Sequence, residues 1–239
     1  MHVIQPNCRI QFTAEDVDFI AATLGRGSAD ARFITDLLTD EHARDLLLED
    51  PRLYRALLEF RGCLRVSARF YFYVLVRHVL RESGTDDRAV ADYVAEVLAE
   101  FSEAERTRLD VPGVGLSCDY FFEMLAVLPQ VDEPTRFHIR THLGNKALFL
   151  AGIFPERIKA RAQRKGCPDL GYYESLGQAN FRVARDHRLA REYELSDVFS
   201  TLSERFHETR LALNDMSDRL LTVGDPDAPA GVLLTAGLN

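Results

Sequence analysis

The sequence predicts an all-α protein, an irregular multi-helix bundle of about eight to ten helices that ends in a long C-terminal helical hairpin. Three observations carry this. Apolar residues recur at helical spacing: "TDDRAVADYVAEVLAEF" sets Val90, Val94, Val97, Leu98 and Phe101 on one stripe. Helix-start residues stand ahead of most such segments. Near the end, Leu195, Phe199, Leu202, Phe206, Thr209, Leu213, Met216 and Leu220 alternate spacings of four and three, the a/d seam of nearly four heptads.

The first twelve residues leave room for one short strand. "FTAEDVDFIAATLGRG" opens with Thr13 as N-cap and Asp16 three residues on, and stops at Gly25. "SADARFITDLL" repeats the pattern from Ser28. In "EDPRLYRALLEF", Asp50 caps a helix whose first residue is Pro51, where a missing N–H costs nothing. "ARFYFYVLVRHVL" (68–80) has the composition of a strand. At helical spacing, however, Ala68, Phe72, Leu75, Val76 and Val79 share a face opposite Arg77 and Arg81, so it reads as a central helix touched on most sides. The segments 110–117, 128–134 and 164–171 concentrate Pro and Gly and read as connectors. "DEPTRFHIRTHLG" again begins with a cap and a proline, and 135–154 is expected to be the most buried helix. Residues 172–192 and 195–220 form the expected hairpin, antiparallel. No period repeats. The domain reading is one helical body over 1–221 and a flexible or loosely docked tail over 222–239.

Composition narrows the classes. The chain has 239 residues, 46% hydrophobic and 28% charged, enough to bury roughly 70% of its unfolded surface without metal or disulfides. The net charge of -8 argues against non-specific nucleic-acid or anionic-membrane binding. Cys8, Cys63, Cys118 and Cys167 are scattered, as in a reducing compartment. "MHVIQPNCRIQF" lacks the charged-then-apolar order of a secretory leader. No apolar run reaches the ~20 residues of a membrane span. The expectation is a cytoplasmic protein.

Chemistry-bearing residues stand where apolar ones belong. On the helix from Thr135, Lys146 projects within the arc of Ile139, Leu143, Ala147, Leu150 and Phe154, with His142 at its edge and His138 one turn back. An amine there must snorkel out, find a carboxylate or lose its proton. On the next helix Asn180 and His187 lie amid Tyr172, Tyr173, Leu176, Ala179, Val183, Ala184 and Ala190. A ligand site between 135–154 and 172–192 would be lined by His142, Lys146, Asn180 and His187 and capped by Tyr172 or Tyr173. His138 and His142, spaced i and i+4, form a possible metal pair that lacks the Glu of HExxH. The only ExxH, Glu204 to His207, flanks the seam. Phosphate-loop, dinucleotide and nucleophile-elbow motifs are absent. "RIKARAQRKG" (157–166) holds five Lys/Arg and no acid, with no aromatic residue interleaved.

The run "HLGNKALFLAGIFPERI" followed by "YYESLGQANF" resembles a group of bacterial helical proteins that share an LGxxxLFLxGxFPE … YYxxxG pattern. The resemblance spans about residues 135 to 195 and implies no activity, cofactor or catalytic residue. Two readings of function follow. One is a helical binding or interaction module that self-associates as a homodimer through the 195–220 seam. The other is a small-molecule- or metal-dependent enzyme or sensor with its site between the two polar-core helices.

Overall fold

The computed structural model describes residues 3–60, 65–103, 107–111, 116–165 and 167–223. Among them lie thirteen α-helices and one two-stranded sheet. The fold is all-α, as expected, with more and shorter helices than the eight to ten anticipated. Within the span read as one helical domain, the chain gathers into two compact units. One comprises 6–99 with the end of the last helix from Asp215; the other comprises 100–214 with the first residues up to Gln5. Of the expected tail, 222 and 223 belong to the last helix and 224–239 lie outside the described residues.

The first unit begins with a 3-10 turn, Cys8–Ile10, within the stretch that left room for a short strand. Helices α1 (Ala14–Leu24), α2 (Ser28–Leu37), α3 (Glu41–Leu48), α4 (Pro51–Glu59), α5 (Ala68–Glu82) and α6 (Arg88–Phe101) follow. Their starts obey the sequence. Thr13 and Asp16 form a reciprocal capping box, and Asp40, Asp50 and Ser67 each accept a backbone N–H in the first turn. Asp16 is fully buried and also accepts from Ser67 N and Oγ, both at 2.7 Å, which ties the start of α1 to the start of α5. Helix α5 is buried on most sides, including Arg77 on its charged face. It ends where Thr85 N reaches back to the Leu80 carbonyl at 2.8 Å, over Gly84 at φ 82, a conformation only glycine takes without strain.

The second unit opens with β1 (Leu109–Val111) antiparallel to β2 (Leu116–Cys118), pairing Leu109 with Cys118 and Val111 with Leu116. This hairpin occupies a segment read as a connector. Helix α7 (Phe121–Val127) leads through a 3-10 turn to α8 (Glu133–Ile153), then α9 (Pro155–Lys165), α10 (Leu170–Arg185), α11 (Arg188–Glu192), α12 (Ser196–Glu204) and α13 (Phe206–Val223). Leu109, Val111, Cys118, Met124 and Val127 pack on Ile139 and Leu143 of α8. Helix α8 lies close on α10: a Cβ on Gly144 would meet the Phe181 ring at 2.8 Å. It is not the most enclosed helix, since every residue of α6 from Val90 to Phe101 is buried, whereas thirteen of the twenty-one in α8 are.

The C-terminal hairpin is antiparallel. Arg185 O accepts from Ser196 Oγ, Phe181 stacks on Phe199, Gly177 abuts Phe206, and Glu174 accepts from Arg210. Each arm is broken, one at Asp186 and His187, the other at Arg205. The seam residues Leu195, Phe199, Leu202, Phe206, Thr209, Leu213, Met216 and Leu220 are all buried within the single chain.

Candidate functional site

Lys146 is 6% exposed and does not snorkel. Its Nζ donates to the Thr107 carbonyl at 2.9 Å and the Asp119 carbonyl at 2.6 Å, and lies 3.8 Å from Asp119 Oδ1. The ring of Phe121 lies below it, 6.0 Å away at the centroid. His142, one turn earlier on α8, places Nε2 3.1 Å from the same Thr107 oxygen, with its ring against Phe101. Thr107 precedes β1 and Asp119 follows β2, so one turn of α8 holds both ends of the hairpin. Burial drives the His142 pKa down to about 4, against the pull of the Thr107 carbonyl; the neutral imidazole donates from Nε2 at pH 7. Burial also lowers the Lys146 pKa, which Asp119 and Glu123 oppose.

The other expected site residues have their own partners. Asn180 Oδ1 accepts from Arg140 at 3.2 Å, and its Nδ2 donates to the Leu176 carbonyl at 2.8 Å. His187 lies past the end of α10, so it does not continue the Asn180 stripe. It caps α11, accepting from Leu189 N at 3.1 Å, stacks on Phe137 and sits 3.8 Å from Glu133. The α10 face is rotated from the one inferred: Gly177, Asn180, Phe181 and Ala184 are buried, whereas Val183 is 49% exposed. Tyr173 meets Phe121 edge-on at 5.5 Å, which links it to Lys146, and Tyr172 packs on Tyr173. The structure thus gathers His142, Lys146 and Tyr173 around the hairpin base and sends Asn180 and His187 elsewhere. His138 packs on Phe137, while His142 Nε2 is already engaged. Glu204 and His207 part across the helix break: Glu204 accepts from Ser200, and His207 pairs with Glu174. Among the described residues no group of three or more His, Cys, Asp or Glu side chains is placed to hold a metal ion.

A second polar cluster, in the first unit, escaped the sequence reading. Asp92 and Glu96 on α6, and Asp45 and Glu49 at the end of α3, are acids at i, i+4, a spacing the sequence does display. Arg69 forks onto Glu96, Arg9 bonds Asp45, and Arg77 and Arg88 both reach Glu49. Cys8 N donates to Asp92 at 2.6 Å and Cys8 Sγ to Glu96 at 3.0 Å. Burial, reinforced by Glu96, pushes the Cys8 thiol far up, so it stays protonated and unreactive. Burial likewise raises Asp92 to about 6, with the Cys8 N–H and Arg9 pulling the other way. Arg9 bridges Asp45 and Asp92 while Glu49 takes both Arg77 and Arg88, so acids and arginines form an internal ion network.

The surface beside the hairpin is of another kind. Tyr120 and Phe122 are 59% and 67% exposed, and their rings stack at 5.6 Å and 18°. Tyr172 is 38% exposed. With Phe121 and Tyr173 they form an aromatic edge where the starts of α7 and α10 meet. No helix is long and apolar enough to cross a membrane among the described residues. Comparisons with protein-family models, with curated proteins and with solved structures found no match to this chain.

Proposed function

We propose that the protein is a non-catalytic helical binding module of the cytoplasm whose working surface is the aromatic edge of the second unit. The observation that carries this is the stacked, solvent-facing Tyr120–Phe122 pair at the start of α7. Large aromatic rings left in water are costly to the fold and valuable at an interface. Four of the polar residues first suspected of chemistry support the same reading, since His142, Lys146, Asn180 and His187 are each hydrogen-bonded within their own chain, whereas the buried Nδ1 of His138 makes no hydrogen bond among the described residues. The free thiols Cys8, Cys118 and Cys167 suit a reducing compartment. Self-association through 195–220 finds little free surface, because Phe199, Leu202 and Phe206 are buried, so the partner surface lies elsewhere.

Two measurements test the module. Native mass spectrometry of untagged protein should give the bare chain mass; a retained metal or small molecule would favour the enzyme or sensor reading instead. The double variant Tyr120→Ser/Phe122→Ser should melt no lower than the parent, since both rings are exposed and serine is a favoured residue at the α7 N-cap that Tyr120 occupies. A drop of several degrees would show that the pair serves the fold, and would remove the main support for a binding edge.

A further inference from the structure

Helix α9 carries cations in an order the aromatic edge makes meaningful. Arg157, Arg161 and Arg164, spaced i, i+4 and i+7, lie within about 60° of arc and span about 10 Å of helix. Arg161 and Arg164 are exposed and Arg157 is half-buried. None of the three forms an ion pair among the described residues, whereas Lys159 on the same helix is held by Glu156 at 2.7 Å. Arg161 is close enough to Tyr173 that its charge opposes the upward push of burial on that hydroxyl. The row of unpaired guanidinium groups thus reaches the vicinity of Tyr173 through Arg161, the Tyr173 ring meets those of Phe121 and Tyr172, and the open Tyr120–Phe122 pair flanks Phe121 in sequence. The acids nearby are committed: Glu123 accepts the Asp119 and Tyr120 N–H groups, Asp169 caps α10, and Asp119 meets Arg108 and Lys146.

We propose that this edge binds single-stranded nucleic acid, its backbone phosphates on the α9 arginine stripe and its bases on the exposed aromatic rings. The inference rests on the binding-module reading and names its ligand. Unpaired cations in a line recognise a polyanion, and arginine suits phosphate better than lysine does. Parallel rings facing water offer a stacking platform that planar bases can use and a carboxylate chain cannot. Because the chain carries -8 overall, long-range attraction is weak and the contact depends on this local stripe.

The test is fluorescence anisotropy of the full chain with fluorescein-labelled dT20, rU20 and a 20-base-pair DNA duplex, from 50 to 200 mM NaCl. Saturable binding of at least one single strand is expected, tighter than the duplex and weakening with salt. Replacing Arg157, Arg161 and Arg164 together by Gln should reduce the salt slope by about 2, from roughly 0.7 per phosphate contact on a single strand. The Tyr120→Ser/Phe122→Ser variant should lose roughly five- to a hundredfold in affinity with the slope kept, the span expected for one or more lost stacking contacts. Circular dichroism melting confirms that both variants fold. No binding at 50 mM salt, duplex binding as tight as single-strand binding, or indifference to both variants overturns the proposal. So does poly-glutamate competing as well as unlabelled dT20: the module then survives with an acidic polypeptide as its partner. A retained small ligand in the native mass spectrum removes the module itself, which keeps the two failures apart.

Discussion

Lys146 and His142 share one carbonyl acceptor, and that arrangement decides how each responds to change. Lys146→Met would remove this donor from the Asp119 and Thr107 carbonyls. A loss of about 2 kcal/mol is expected in urea unfolding, the range for stranding buried acceptors; a variant within 0.5 kcal/mol of the parent would refute the pinning role. His142 has a folded pKa below its unfolded value, so its contribution is fully present above pH 6.5 and is lost as the pH falls toward about 4. At about 1.4 kcal/mol per pH unit for one proton, the loss approaches 3 kcal/mol. Asp92 has the opposite sign: raised to about 6, it favours the fold below pH 3.8 and ceases to do so as the pH rises from 3.8 to 6. Denaturation at stepped pH should show His142→Gln flattening the acid-side loss between 6.5 and 4. An unchanged slope would mean that the imidazole is not held neutral by the fold. Sequence reading located the oddity of Lys146 because side-chain polarity against an apolar arc is a local signal. It could not find the partners, which are backbone carbonyls 27 and 39 residues away and carry no residue-type signature.

At the level of elements, caps and stripes were legible and breaks were not. Thr13, Asp50 and the start of α8 behave as read, because a cap depends on residues within one turn. The heptad count ran through Arg205 without interruption, since periodicity records which residues face inward and not whether the backbone between them stays helical. The break before His187 had the same effect, moving that residue from a core stripe to a cap. The β-hairpin was missed because three-residue strands give too few alternations to register. Packing is tightest where α10 meets the start of α13: a Cβ on Gly177 would overlap the Phe206 ring. Gly177→Ala is therefore expected to cost about 2–3 kcal/mol, the usual penalty of overpacking, and Phe206→Leu in the same chain should recover part of it. A Gly177→Ala chain that melts with the parent would show that α10 and α13 can separate freely.

For the whole molecule, the division into two units has consequences that neither unit shows alone. The first unit is closed by residues from the far end of the chain: Arg219 donates to the Tyr54 hydroxyl at 2.9 Å and to Glu82 at 3.1 Å, and Met216 is buried. Met216→Ala should cost about 2–4 kcal/mol, and hydrogen exchange should quicken in residues 6–99. If protection fell in 100–214 instead, the assignment of the helix end to the first unit would be wrong. Residues 6–99 leave the ribosome first, yet their completion must wait until position 219 has been made, while 100–214 can close before then. At the common synthesis rates of about 5–20 residues per second, that interval lasts on the order of ten seconds. Of the two units, the one made first is thus the one finished last, and for that interval α5 and α6, both largely buried in the finished fold, depend on chaperones or on their own partial packing to stay out of trouble.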